Sequence, residues 1–549
     1  MVALTFLASL AFLATSGFAA PTTDSLRILH LDPRKVLCQL PILKKYLCPR
    51  DGHDDLTRKT NFGIAQGTQD PSGASRFIVK YADSQRWKPS TLASSWELPT
   101  GSPNVTVMPL ACPQPFADAS AYTEDCLSMI LYVPPSVRPS SSVPTFMWIH
   151  GGSFILGSAS AAGLDGSSLA IATNSIVAVV QYRLGALGFM APDGTTNLAV
   201  KDLVNALQFL NKALPAFGGD PGKITIAGQS SGAALVRSLL AVPSASSLFS
   251  YAIIQSDPMN FGFLKPSVQQ SLQSMFNGLI DCTTTDTTCQ DSLSLDDILN
   301  NEMVLFGTAW QSIPVVGQSE PMRPVLDGSF ITTSLDSTTP FPSVSKPVLI
   351  STVVEEAGYA IYMSNPSLTQ SDLTNACNGT FGPERTNVIL SSGFYPPADD
   401  ARVQLQAIGT DYLWRCSSWT FARNWASHGG TAYVGEYVIG ATYPGNEVVP
   451  YCTQPGIVCH QDDIEIVFGS VSNPSPAQSA LVSEMQTRYR AFLNTGNPNT
   501  PNLPNWPKAG TSSVNAIQLG APGSITVGAC EPSFWGQAVQ YDYQFYANA

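Results

Sequence analysis

Four apolar runs punctuate the middle of the chain: TFMWIHGG (145–152), SIVAVVQYR (175–183), KITIAGQSS (223–231) and PVLISTVVEE (347–356). Each ends in glycine or polar residues, as a buried strand does where a loop takes over. Between the second and third lies KDLVNALQFLNKALPAF (201–217), with Leu203, Ala206, Leu207, Leu210 and Leu214 at helical spacing. SGAALVRSLLAV, after the third run, reads as another helix. Strand, helix, strand in repetition predicts an α/β architecture with a mostly parallel central sheet flanked by helices. In such sheets the functional groups gather at the carboxyl ends of the strands.

The third run ends in Gly228-Gln229-Ser230-Ser231-Gly232, a G-x-S-x-G pattern. The pattern alone is weak, but it stands between a strand and a helix, which is the setting of a nucleophile elbow. The serine of an elbow sits at a strained backbone angle, and its −2 and +2 positions pack too closely for side chains. Only Ser230 has glycine at both offsets; Ser231 has Gln229 and Ala233. Ser230 is therefore the candidate nucleophile. Ser231 offers its backbone N–H at a helix N-terminus, where an oxyanion is favoured. The first run ends in His150-Gly151-Gly152-Ser153, and loops of this HGG type supply oxyanion donors in esterases. Gly151, Gly152 and Ser231 are the expected donors, and His150 is read as a packing residue.

Five histidines occur in the sequence. The chain order nucleophile, acid, base leaves His428 and His460 as candidate bases. His428 follows the helical stretch WTFARNWAS and reads as a C-terminal cap. His460 follows directly on Cys459, where a Cys452–Cys459 bridge would restrict the imidazole, so it is the expected base. The acid must orient and charge-stabilise that imidazole. Glu355 and Glu356 end the fourth strand-like run; Glu356 is the first choice and Glu355 the runner-up.

Composition narrows the setting. Charged residues are 12% of the 549, against roughly 25% in ordinary soluble domains. The net charge is −12 with no run of five Lys or Arg, so a nucleic-acid partner is not expected. Residues 1–19 carry a short apolar run followed by Gly17 and Ala19, the pattern of a signal peptide, and predict a secreted protein. No later stretch reaches the ~20 apolar residues of a membrane span. Residues 20–59 form a polar leader with a Cys38–Cys48 loop, and residues 60–549 read as a single catalytic domain. Eleven cysteines in a secreted chain predict disulfides plus one odd thiol. Cys38/Cys48, Cys112/Cys126, Cys282/Cys289 and Cys452/Cys459 are close enough in sequence to close short loops. Neither CxxC nor HExxH occurs, so no metal site is expected, and no cofactor is implied. Asn104 and Asn378 head glycosylation sequons.

RFIVKYADSQRW, YTEDCLSMILYVP, TFMWIHGGSFILGS, QYRLGALGFM, NLAVKDLVNALQFL, FGGDPGKITIAGQSSGA, VVEEAGY and CHQDDIEIVFG together resemble the type-B carboxylesterase/lipase family, which includes cholinesterases and fungal lipases. The resemblance runs from residue 60 to 540. It implies an α/β-hydrolase fold, with Ser230 as nucleophile, Glu356 as acid, His460 as base, and Gly151, Gly152 and Ser231 as the oxyanion hole. The chain has Glu-Ala-Gly where the family has Glu-Gly. Glu124 of the EDC stretch looks like a structural ion-pair residue, and Ser256 resembles a supporting serine near the acid. The family also suggests the bridges Cys112–Cys126, Cys282–Cys289 and, by position, Cys416–Cys530, which leaves Cys377 free. A related group bridges cysteines beside both serine and histidine; Gln229 and Ser231 flank Ser230 here, so Cys459 pairs most simply with Cys452.

Thirteen residues lie between Cys112 and Cys126, far fewer than in the flaps of interfacial lipases of this kind. The expected substrate is a soluble or moderately bulky ester, including feruloyl-type phenolic esters. Long-chain glyceride or sterol esters are the alternative, and a non-catalytic adhesion module of the same fold is a further one. Phe261, Phe263 and Trp310 are read as acyl-pocket residues or, more simply, as core.

Overall fold

The computed structural model describes residues 56–316, 320–336, 341 and 344–535. The expected signal peptide and the Cys38–Cys48 loop lie outside the described residues. These described residues form one compact unit.

All four apolar runs are strands of one sheet. In chain order its strands are β1 (Thr57–Thr60), β2 (Gly63–Gln69), β3 (Ser75–Lys80), β4 (Ser128–Val133), β5 (Val143–Ile149), β6 (Ile176–Val180), β7 (Gly219–Gln229), β8 (Tyr251–Gln255), β9 (Val348–Val353), β10 (Ala432–Tyr437) and β11 (Ile517–Leu519). Their spatial order is β1-β2-β3-β4-β6-β5-β7-β8-β9-β10-β11. The first four pairings are antiparallel and the remaining six parallel. The α/β class expected from the sequence is the class observed.

The runs are continuously apolar because both faces of the sheet are covered. Successive side chains of β5 alternate between the two faces. Phe146 and Trp148 pack on one side, with the Trp148 ring 5.1 Å edge-on from Phe468 and the Phe146 ring 6.0 Å from Tyr489. Met147 and Ile149 join the core on the other side, where Leu203, Ala206, Leu207, Leu210 and Leu214 of helix α1 (Leu198–Phe217) are fully buried. That helix ends where Gly218 adopts φ 82°, a left-handed cap.

Buried charges tie the layers together. Arg183, after β6, forks onto Asp202 of α1 with Nε–Oδ2 2.7 Å and Nη2–Oδ1 2.6 Å. Arg237 of helix α2 (Ser231–Leu240) meets Asp257, beyond β8, at 2.7 Å with both side chains fully buried. Arg86 donates to both carboxylate oxygens of Glu124 and also to the Leu293 carbonyl at 2.7 Å. The pair thus links the first disulfide loop to the segment after the second. Four disulfides are present among the described residues: Cys112–Cys126, Cys282–Cys289, Cys416–Cys530 and Cys452–Cys459. Cys377 is free and buried, and burial pushes its thiol up to about 11. Asn104 lies on an exposed turn whose Thr106 donates back to it, whereas Asn378 sits inside the helix Gln370–Ser391.

Removing one partner of a buried ion pair strands the other. Arg183→Met should lower stability by about 3–5 kcal/mol, and the double variant with Asp202→Leu should recover most of that loss. Urea-unfolding midpoints of the two proteins check this; equal losses would show that Asp202 is not the stranded charge.

Candidate active site

Ser230 stands at the tip between β7 and α2 with φ 58° and ψ −130°, a conformation that costs a non-glycine residue energy. Its neighbours explain the glycines. A Cβ on Gly232 would lie 2.2 Å from the Ile149 carbonyl oxygen, and one on Gly228 would lie 2.5 Å from the Gly232 carbonyl oxygen. The turn is so tight that backbone packs on backbone at both glycines.

Sheet register brings the HGG loop to the same place. Ile149 of β5 pairs with Gly228 of β7, so the residues following each strand emerge side by side. A Cβ on Gly151 would meet the Gln229 carbonyl oxygen at 2.7 Å and Ser230 Cβ at 3.0 Å. Gly152 has φ 117°, and Ser153 and Phe154 also have positive φ. Among the described residues the N–H groups of Gly151, Gly152 and Ser231 donate no hydrogen bond to a protein acceptor. Three unsatisfied donors lie around the strained serine, one of them at a helix N-terminus. His150 is a packing residue, as expected. It is buried and stacks on Tyr182 with centroids 4.6 Å apart, and Tyr182 donates to the His150 carbonyl at 2.7 Å. Burial holds its imidazole down to about 4.

His460 reaches the elbow from the loop after the Cys452–Cys459 bridge. Its Nδ1–H donates to Glu356 Oε2 at 2.5 Å. Nε2 is thereby the acceptor, and the Gln229 amide donates to it at 3.1 Å. Glu356 is fully buried, and its other oxygen accepts from the Val353 N–H at 2.9 Å. Burial alone would lower the His460 pKa; the Glu356 charge and hydrogen bond outweigh it, with Asp463 and Glu320 adding, so the net shift is upward. Glu355 points elsewhere. It accepts from the Val458 N–H at 2.9 Å, donates its own N–H to the Val458 carbonyl, and forms a bridge with Cys459. Of the adjacent glutamates, one meets the imidazole and the other ties the imidazole's loop to the end of β9.

Several supporting residues went unrecognised in the sequence. Asp462 accepts from the Cys459 and Tyr443 N–H groups and from Asn446, while Asn446 also donates to the His460 carbonyl. Gln255 donates to Asp463 at 2.5 Å beneath this loop. The Asp-Asp pair directly after Gln461 was the one signal available. Ser256 lies past β8 with φ 52°, and its hydroxyl has no hydrogen-bond partner among the described residues. His428 is an exposed helix cap, as its context indicated. Phe263 is core, packed against the Arg237 guanidinium, and Trp310 is at the surface of its helix. The single group of metal-ligand type among the described residues, Asp411 with Cys416 and Cys530, contains a disulfide. No described helix is long and apolar enough to cross a membrane.

A family model described as "Carboxylesterase family" matches residues 59–535. Carboxylesterase 5A of Homo sapiens is 27% identical over 406 residues, covering 69% of this chain and 67% of that protein. The para-nitrobenzyl esterase of Bacillus subtilis is 38% identical over 157 residues, 26% of this chain and 32% of that protein. The solved structure of a PNB esterase superposes with a TM-score of 0.68 at 24% identity, covering 85% of this chain and 96% of its own. That likeness places the sheet described above in the α/β-hydrolase fold.

The two glutamates can be told apart in solution. Glu356→Gln removes the charge that raises His460, so the imidazole should titrate lower. Glu355→Gln should leave it within a few tenths of a unit. Histidine-selective NMR titration reads both; an equal shift in the two variants would contradict the pairing seen here.

Proposed function

This chain belongs to the carboxylesterase family and is a carboxylic-ester hydrolase; on that premise we propose that it works through a Ser230–His460–Glu356 triad and an acyl-enzyme. The observation that carries the reading is the convergence of a strained serine, three unsatisfied backbone donors and a carboxylate-held imidazole at the ends of β5, β7 and β9.

In this mechanism the Gln229 amide releases His460 Nε2 when the Ser230 hydroxyl turns toward it. His460 takes the hydroxyl proton as Ser230 Oγ bonds to the ester carbonyl carbon. The carbonyl oxygen becomes an oxyanion held by the N–H groups of Gly151, Gly152 and Ser231. Each donor of this kind is worth on the order of 10²–10³ in rate. The imidazolium, stabilised by Glu356, protonates the leaving alcohol. Water then attacks the acyl-enzyme by the same route, with His460 again as base, and regenerates Ser230. Glu356 is buried and already engaged by the Val353 N–H, so it arrives at the reaction with its orientation set.

The substrates we favour are soluble or moderately bulky esters, including feruloyl-type phenolic esters. The short Cys112–Cys126 loop, fourteen positions from end to end, supports this over a lipase with an extended flap. Long-chain glyceride or sterol esters are the competing reading. An adhesion module of this fold has no use for an oriented imidazole beside a strained serine. Four disulfides support a secreted enzyme, and exposed Asn104 is the better placed of the two sequons to carry a glycan.

Ser230→Ala should reduce kcat by on the order of 10⁶, as nucleophile loss does in serine proteases, and should abolish labelling by an organophosphonate mapped by peptide mass. Ser231→Ala should keep most activity, because only its N–H is used. The acid limb of kcat/KM should have its midpoint above 6.5, since His460 must be neutral to take a proton and its pKa is raised. Full activity in Ser230→Ala would end this account.

A panel of p-nitrophenyl esters of rising chain length, beside methyl ferulate and emulsified triolein, should show turnover of the short esters and the phenolic ester. Activity confined to triolein would reverse the substrate preference.

A further inference from the structure

Gln229 ends β7, directly before Ser230, and its side chain turns to the base. It is fully buried, and its amide N–H donates to His460 Nε2 at 3.1 Å. In the triad reading that nitrogen is the atom that takes the proton. The Nδ1–H on the other side of the ring is committed to Glu356, so Nε2 carries a bare lone pair, and an amide facing a lone pair presents its N–H. The other end of the amide is unsatisfied. Oε1 is buried with no hydrogen-bond partner among the described residues. The HGG loop packs directly against it: a Cβ on Gly151 would lie 3.0 Å from that oxygen. A buried oxygen left unpaired is uncommon and calls for a reason. Reversing the amide would not satisfy both ends, because Oε1 would then face the Nε2 lone pair and the one hydrogen bond would be lost.

The imidazole is thus gripped at both nitrogens, by Glu356 on Nδ1 and by Gln229 on Nε2, with the Trp414 ring 5.6 Å away and tilted by 53°. The two grips pull in opposite senses. Glu356, Asp463 and Glu320 are the charged groups acting on the ring, and each favours the imidazolium. A donor on the lone pair works the other way, since it bonds only the neutral ring. Once Nε2 has gained a proton, the Gln229 N–H faces another N–H.

We propose that Gln229 is a positioning residue that keeps His460 neutral, with its Nε2 lone pair aimed at the elbow, until the Ser230 hydroxyl takes over that lone pair. Amide and hydroxyl compete for one acceptor, and the exchange between them arms the nucleophile. After the proton has moved, the same amide disfavours the imidazolium and so promotes transfer of the proton to the leaving alcohol. Gln229 itself takes no proton and makes no bond to the substrate. The inference rests on the triad reading above and deepens it.

Two variants and two readouts test it. Gln229→Met keeps the length of the side chain and removes the donor. Gln229→Glu keeps the shape, and its ionised carboxylate only accepts. In each, histidine-selective NMR gives the titration of His460, identified by the signal missing from His460→Asn, and kcat/KM for p-nitrophenyl butyrate gives the acid limb, which belongs to the free enzyme. Both midpoints should move up together, by roughly half a pH unit to one in Gln229→Met, the worth of one hydrogen bond to one protonation state. They should move further in Gln229→Glu. A merely structural loss lowers kcat/KM at every pH and leaves the midpoints in place. A midpoint unmoved in either variant, or a downward shift in Gln229→Met, overturns the proposal. The wild type separates the two failures. A His460 titration that does not coincide with the acid limb overturns the triad reading itself, whereas coincidence in wild type with no response to Gln229 overturns the role of Gln229 alone.

Discussion

The close approach of two backbones governs the chemistry of this molecule. The first residues of α2 press against the last carbonyls of β5, with no space for even a methyl group at Gly228 or Gly232. That contact forces the sharp reversal at Ser230 and lifts its side chain clear of the strand. It also sets the HGG loop against the same turn, because β5 and β7 are neighbours in the sheet although another strand and three helices separate them in the chain. A substitution at either glycine would move the serine and its donors together. The strain at Ser230 persists because packing from several elements over-determines it.

A second constraint is electrostatic. Five carboxyls, Glu355, Glu356, Glu436, Asp462 and Asp463, belong to the end of the sheet and the His460 loop, and burial pushes Glu355, Glu436 and Asp462 up to about 7 and Asp463 to about 6. Such a cluster is tolerable only because each carboxyl has a hydrogen-bonding task or is partly neutral. Asp462 organises the His460 loop through backbone N–H groups, and Glu355 fastens that loop to β9. The Cys452–Cys459 bridge closes the loop covalently. Three independent restraints thus converge on a residue whose ring must be positioned to a fraction of an ångström.

Much of this was legible in the chain. Continuous apolar runs ending in glycine specify buried parallel strands because both sheet faces are covered, and helical spacing identified α1 down to its buried leucines. Ser230 was distinguishable from Ser231 because the elbow's steric demand falls on residues two positions away, which is a local property. The pairings of close cysteines were legible because short loops leave few partners. Even His460 could be chosen, since chain order and a neighbouring cysteine are one-dimensional facts.

What the chain by itself determined, then, is whatever depends on neighbours a few residues apart: the strands, the tight turn at Ser230, the glycine loop after β5 and the short disulfide loops. Only the tertiary structure shows which of Glu355 and Glu356 meets the His460 ring, because adjacent residues at a strand end point in different directions and nothing local records which one the distant loop will reach. The same holds for Gln229 on the imidazole, Asp462 and Asn446 under its loop, and Arg183 on Asp202. Each of these joins side chains from separate elements. Their partnership arises from strand order and register, which composition and periodicity leave open.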